Sequence, residues 1–102
     1  MFERFTERAR RALFFARFEV TQLGATMIEP EHILLGLVRE PKGLVARIFE
    51  QSGVSTAALT VEIASRQEFR ERIPESVEIP FSTGTQRLLS YAAEEADRLT
   101  HS

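Results

Sequence analysis

Between Pro30 and Pro41 the chain places Ile33, Leu34, Leu35, Leu37 and Val38, a segment apolar nearly all round and broken only by Gly36. Proline suits the first turn of a helix, where its missing N–H would find no partner anyway, and a second proline ends the helix. A helix with no polar face must be covered on several sides, so this segment predicts a central element wrapped by others. Six residues from Ile33 to Val38 fall far short of the ~20 needed to cross a bilayer. At 102 residues, 43% apolar and 27% charged, the chain predicts one soluble globular domain built around that segment.

The wrapping elements also read as helices. Ala9, Ala12, Leu13, Ala16, Val20 and Leu23 recur at helical steps, with Phe14 and Phe18 as a second stripe. Thr6 is placed to cap that helix, and Gly24 to stop it. Leu44, Val45, Ile48 and Phe49 predict a short third helix ending at Ser52-Gly53. Ser55 or Thr56 then caps a fourth, with Leu59, Ile63 and Phe69 on one face and a ladder of Glu62, Arg66 and Arg70. Ile73 to Pro80 has prolines near both ends and reads as an extended linker. A fifth helix follows Ser82, carrying Leu88, Leu89, Ala92, Ala96 and Leu99. No stretch alternates as a strand does, and the predicted class is all-α.

The two ends of the chain repeat one another at a spacing of 76 residues, Phe5–Thr26 aligning on Phe81–Ser102. Phe5/Phe81, Arg11/Arg87, Leu13/Leu89, Ala16/Ala92, Glu19/Glu95 and Leu23/Leu99 are identical, and Thr6/Ser82 keeps a capping hydroxyl in register. The predicted organisation is a first four-helix repeat over residues 1–72, a linker over 73–80, and over 81–102 the opening helix of an incomplete second repeat. A helix without the rest of its repeat leaves apolar positions uncovered. The sequence therefore predicts either self-association through residues 82–100 or a natural chain that continues past Ser102.

Chemistry of its own is sparse. There is no cysteine, hence no disulfide and no thiolate metal site, and the composition suits a reducing compartment. His32 and His101 stand far apart, and Glu31 and His32 are adjacent on a helix, where side chains point about 100° apart, so they do not form an acid–base pair. His32 reads as a structural residue at a helix start. Neither phosphate-binding glycine pattern occurs, so no cofactor is expected and no nucleotide hydrolysis is encoded. Arg4, Arg8, Arg10, Arg11 and Arg17 cluster near the first helix and are balanced by Glu3, Glu7 and Glu19. A net charge of −2 argues against unselective binding to nucleic acid or anionic membrane. Residues 48–65 resemble a helix-turn-helix, which keeps a small DNA-binding protein as the alternative function. The would-be recognition helix, residues 56–65, holds no Arg, Lys, Asn or Gln to reach bases or phosphates. The N-terminus is charged from Glu3 onward and is not a secretion signal, which predicts a cytoplasmic protein.

Three separated segments, Met1–Arg10, Glu31-His32-Ile33-Leu34-Leu35-Gly36-Leu37 and Ile79-Pro80-Phe81-Ser82, make the chain resemble the N-terminal domain of Clp-type AAA+ unfoldases, closest to the ClpC type. The resemblance covers essentially the whole chain. It implies a helical bundle of repeats and a non-catalytic module that receives protein adaptors and substrates for ATP-dependent proteolysis. It also implies a ligand, phosphoarginine, with the phosphate held by Thr6 and the N–H groups after it, the guanidinium by Glu31, and a second half-site at Ser82. Where the family usually has Gly-Thr before Glu-His, this chain has Glu29-Pro30, which removes a hydroxyl and an N–H beside that site. Phe14, Phe15 and Phe18 are bulkier than the family pattern.

Overall fold

The structure, a computed structural model, describes residues 5–41, 43–67 and 70–100, the last without its side chain. Five helices follow one another: α1 Glu7–Leu23, α2 Pro30–Arg39, α3 Leu44–Gln51, α4 Thr56–Ser65 and α5 Thr83–Thr100. Among the described residues there is no strand, only one isolated parallel bridge between Ile28 and Phe81. The class is all-α, as the periodicity predicts. No described helix is long and apolar enough to cross a membrane.

The helix ends follow the predicted chemistry. Thr6 Oγ1 accepts the Ala9 N–H at 3.1 Å, and Gly24 ends α1 in the left-handed conformation at φ 71°. Ser55 caps α4 through the Ala58 N–H at 3.1 Å. Ser82 caps α5 in the same way, accepting the Thr85 N–H at 3.2 Å. Thr6 to Ala9 and Ser82 to Thr85 are corresponding positions at the spacing of 76, so the cap recurs in register.

α2 is the central helix. His32, Ile33, Leu35, Gly36 and Val38 are buried, and α1 packs along it more extensively than any other element. Leu35 is fully buried; Leu37, expected beside it in the core, is half-buried. The α1–α2 contact depends on Gly36. A Cβ built there would lie 2.1 Å from the Ala12 carbonyl oxygen and 2.9 Å from the Ala16 nitrogen, so only glycine lets the two backbones approach so closely. Ala12 and Ala16, both buried, supply the matching small face on α1. At the rim, two buried carboxylates are paired across the helices: Glu19 with Arg39, and Glu40 with Arg11 at 2.9 Å.

Residues 73–80, predicted as a linker, are irregular and mostly exposed, but the segment is anchored to the core at one end by Ile79. Ile79 is buried in the cluster formed by Ala16, Val20, Ile28 and Ile33, with Ile73 and Phe81 packed against it. The Ile73 N–H donates to the Thr21 carbonyl at 2.9 Å, and Arg17 donates to the carbonyls of Glu75 and Val77. Two isoleucines and α1's arginine hold down an irregular, mostly exposed strip, and no periodicity marks those anchors. The Glu62–Arg66 pair forms at 2.9 Å, but α4 ends at Ser65, so Arg70 is off the helix and the predicted ladder stops one rung early. Phe69 lies outside the described residues.

Replacing Gly36 by Ala drives a methyl group into the α1 backbone, and overpacking of this kind costs about 1–3 kcal/mol. Urea denaturation of Gly36→Ala should show a loss in that range. A midpoint equal to wild type would mean that the α1–α2 contact is not the close one described.

Candidate docking site

The loop between α1 and α2 meets the segment leading into α5. The Ile28 N–H donates to the Pro80 carbonyl at 2.9 Å, and the Ser82 N–H donates to the Ile28 carbonyl at 3.1 Å. These two bonds set the start of α2 beside the start of α5. Two residues past Phe81, α5 begins with Thr83 and Gly84, whose N–H groups belong to a first turn that helix geometry leaves without intrahelical partners. Three residues past Ile28 stands Glu31, exposed.

The start of α2 is held by His32. Its Nδ1 accepts the Glu29 N–H at 2.8 Å, its own N–H donates to the Glu29 carbonyl at 2.9 Å, and its Nε2 lies 2.9 Å from the Gln67 side-chain amide. The ring is almost fully buried. Burial pushes it below the ordinary imidazole value of 6.5, against the pull of Glu31, the Gln67 hydrogen bond, Glu29 and Glu19. His32 is thus the structural residue that the sequence suggests, and it turns Glu31, next along the helix, outward.

Glu31 lines a cavity of about 230 Å³ with Glu29, His32, Gln67, Arg70 and the loop Ala25–Met27. On its other side Glu31 borders a second cavity of about 320 Å³ with Leu34, Leu59, Glu62, Ile63 and Arg66. Around it stand two further carboxylates, Glu29 and Glu62, and two arginines, Arg66 and Arg70, with Glu62 already paired to Arg66. Gln67 and Arg70, which the sequence reading did not connect with Glu31, reach the cavity from the far side of α4, and no local pattern marks them.

Thr6 does not share this place. It lines a 760 Å³ cleft with Arg8, Arg11, Leu37, Glu40 and Leu44, and a 380 Å³ apolar groove between α1 and α5. α1 and α2 run antiparallel, so the start of α1 lies near the end of α2, and the 17 residues of α1 span about 25 Å. Thr6 and Glu31, expected to share one site, line different cavities. Ser82, expected in a second half-site, is hydrogen-bonded through its N–H to Ile28, at the loop that leads into α2. Ser82 is itself buried, its hydroxyl donating to Thr85 Oγ1 at 3.0 Å while accepting the Thr85 N–H. Among the described residues no group of histidine and carboxylate side chains is arranged to hold a metal ion.

The described residues form an all-α bundle in which the loop before α2 is hydrogen-bonded to the segment leading into α5. The family model of the Clp repeat (R) N-terminal domain matches residues 4–102. A ClpA homolog described as the ATP-binding subunit of an ATP-dependent Clp protease, from Guillardia theta, is 38% identical over 99% of this chain and 12% of its own length. The chloroplastic chaperone protein ClpC of Pisum sativum is 37% identical over 99% of this chain and 11% of its own. The crystal structure of the N-terminal domain of ClpD, a chaperone associated with caseinolytic protease from Arabidopsis thaliana, superposes with a TM-score of 0.77. It is 34% identical over 98% of this chain and 69% of that one. The chain belongs to the Clp N-terminal domain family and spans about a tenth of the length of these curated relatives. Nothing in this membership favours the helix-turn-helix alternative for residues 48–65.

Because folding lowers the His32 pKa, the unfolded chain binds the extra proton first as pH falls. The stability contributed by neutral His32 is complete above about pH 6.5 and is lost progressively below it. Denaturation midpoints should therefore fall between about pH 7.5 and 5.5, and fall less in His32→Asn, whose amide oxygen can still accept the Glu29 N–H. Parallel profiles for the two proteins would contradict this assignment.

Proposed function

We propose that this chain is a docking domain that receives protein substrates or adaptors for a Clp-type unfoldase and catalyses nothing itself. The observation that carries the reading is the family match over residues 4–102 in a chain with no phosphate-binding glycine motif. The Guillardia theta relative, named as an ATP-binding subunit, matches this chain over 12% of its own length, so ATP-driven work would fall to other parts of such a protein. A cytoplasmic location is part of the proposal, since a partner that consumes ATP works where ATP is held.

The finer reading is recognition of phosphoarginine at the junction of α2 and α5. Glu31, with Glu29 in the same cavity, would pair with the guanidinium. The first-turn N–H groups of α5 at Thr83 and Gly84, aligned by the Ser82 cap, would take the phosphate, since helix starts favour anions. The bridge between Ile28 and Phe81 supports this pairing over one with Thr6. Pro30 lies at the first position of α2 and contributes no N–H, so in this reading the phosphate depends on α5.

Calorimetry with a phosphoarginine peptide and its unphosphorylated twin tests the proposal. Phosphate removal should abolish most binding, and Glu31→Ala should weaken it by about tenfold or more, equivalent to about 1.4 kcal/mol. Thr6→Ala, which touches only the distant cap, should leave affinity unchanged. Equal affinity for both peptides would sink the phosphoarginine reading and leave docking through protein surfaces alone.

A further inference from the structure

Residues 29–32 lie between two fixed points. Before them, Ile28 is held through both its backbone groups, its N–H donating to the Pro80 carbonyl and its carbonyl accepting the Ser82 N–H. After them, Ile33 is buried in the core cluster. The first turn of α2, between these points, is tied by the His32 side chain, which reaches back to the Glu29 N–H and across to Gln67, just beyond the end of α4.

Each ring nitrogen has one role in this arrangement. Nδ1 accepts the Glu29 N–H at 2.8 Å and so carries no proton, which leaves the single proton of the neutral ring on Nε2, 2.9 Å from the Gln67 amide. A second proton, on Nδ1, would point at the Glu29 N–H, donor against donor. The imidazolium and the bond to Glu29 therefore exclude one another. The 230 Å³ cavity beside the ring offers a charged side chain somewhere to go, since it is lined by the residues Glu29 and Glu31, with Arg70 from beyond α4. Glu19 of α1 also attracts a charged ring, but it is already paired with Arg39.

We propose that His32 is an acid-released latch. While neutral, the ring locks the first turn of α2 to the loop before it and to Gln67; on protonation it lets go of Glu29 and turns into the cavity toward the carboxylates of Glu29 and Glu31. The release is local, because Ile28 keeps its two backbone bonds and the close contact of α2 with α1 at Gly36 lies about one turn further along the helix. Burial holds the ring below the ordinary imidazole value of 6.5, so the latch is closed at neutral pH and opens in acid. It is a property of the fold and does not depend on what Glu31 binds.

The test is an NMR titration of the labelled 102-residue chain from about pH 7.5 to 5, following the His32 ring, the Glu29 backbone amide, the Gln67 side-chain amide, and Ala16 and Leu35 in the core. The ring and the amides of Glu29 and Gln67 should shift together with one midpoint below 6.5, while Ala16 and Leu35 hold their positions. In His32→Asn, whose amide oxygen accepts the Glu29 N–H without a titrating ring, the step at Glu29 should vanish. A step that survives in this variant would assign it to the neighbouring carboxylates and overturn the proposal. So would a wild-type Glu29 amide that keeps its position down to about pH 5. Ala16 and Leu35 moving as far as Glu29 would also overturn it, since that is unfolding of the bundle and not release of one turn.

Discussion

The close approach of α1 and α2 at Gly36 is the constraint on which everything else rests. With the α2 backbone set against Ala12 and Ala16, the apolar ring of α2 is covered on one side. Its remaining exposure is shared among α3, α4 and α5, each packing on α2 with far less contact. The same approach brings Arg39 onto Glu19 and Arg11 onto Glu40, so the buried carboxylates are compensated only while the helices stay in register. Burying a carboxylate without its partner is costly, which makes these pairs restraints on register more than sources of stability. Gly36 thus positions Glu31, five residues upstream on the same helix, without touching it.

Much of this was legible in the sequence because the information is local. Thr6, Gly24, Pro30, Ser55 and Ser82 each act on the backbone within a few residues, and all fall at or beside the helix ends they predict. The most apolar segment had to be central. What the sequence did not show of the strip from Ile73 to Pro80 is its anchoring, since the bonds to Thr21 and Arg17 reach more than fifty residues back and an irregular chain has no periodicity to reveal them.

The site shows the same divide. Glu31 and His32 could be picked out from the sequence, and the buried, hydrogen-bonded ring bears out the structural role for His32. Which helix start lies next to the loop before α2 could not be picked out, because two starts carry the same cap at a spacing of 76. The choice is made by the Ile28–Phe81 bridge, a contact between residues 53 apart in sequence. A repeat therefore makes a sequence easy to recognise and its sites easy to mispair, since each half offers an equivalent candidate.

The claim that joins fold to function is that a phosphoarginine ligand is held between α2 and α5. Amide chemical shifts of the labelled chain, followed during titration with phosphoarginine, test it most directly. The account predicts the largest changes at Glu29, Glu31 and His32 together with Thr83, Gly84 and Thr85, and little at Glu7 and Arg8. Changes centred on Glu7 and Arg8 with residues 83–85 silent would contradict it.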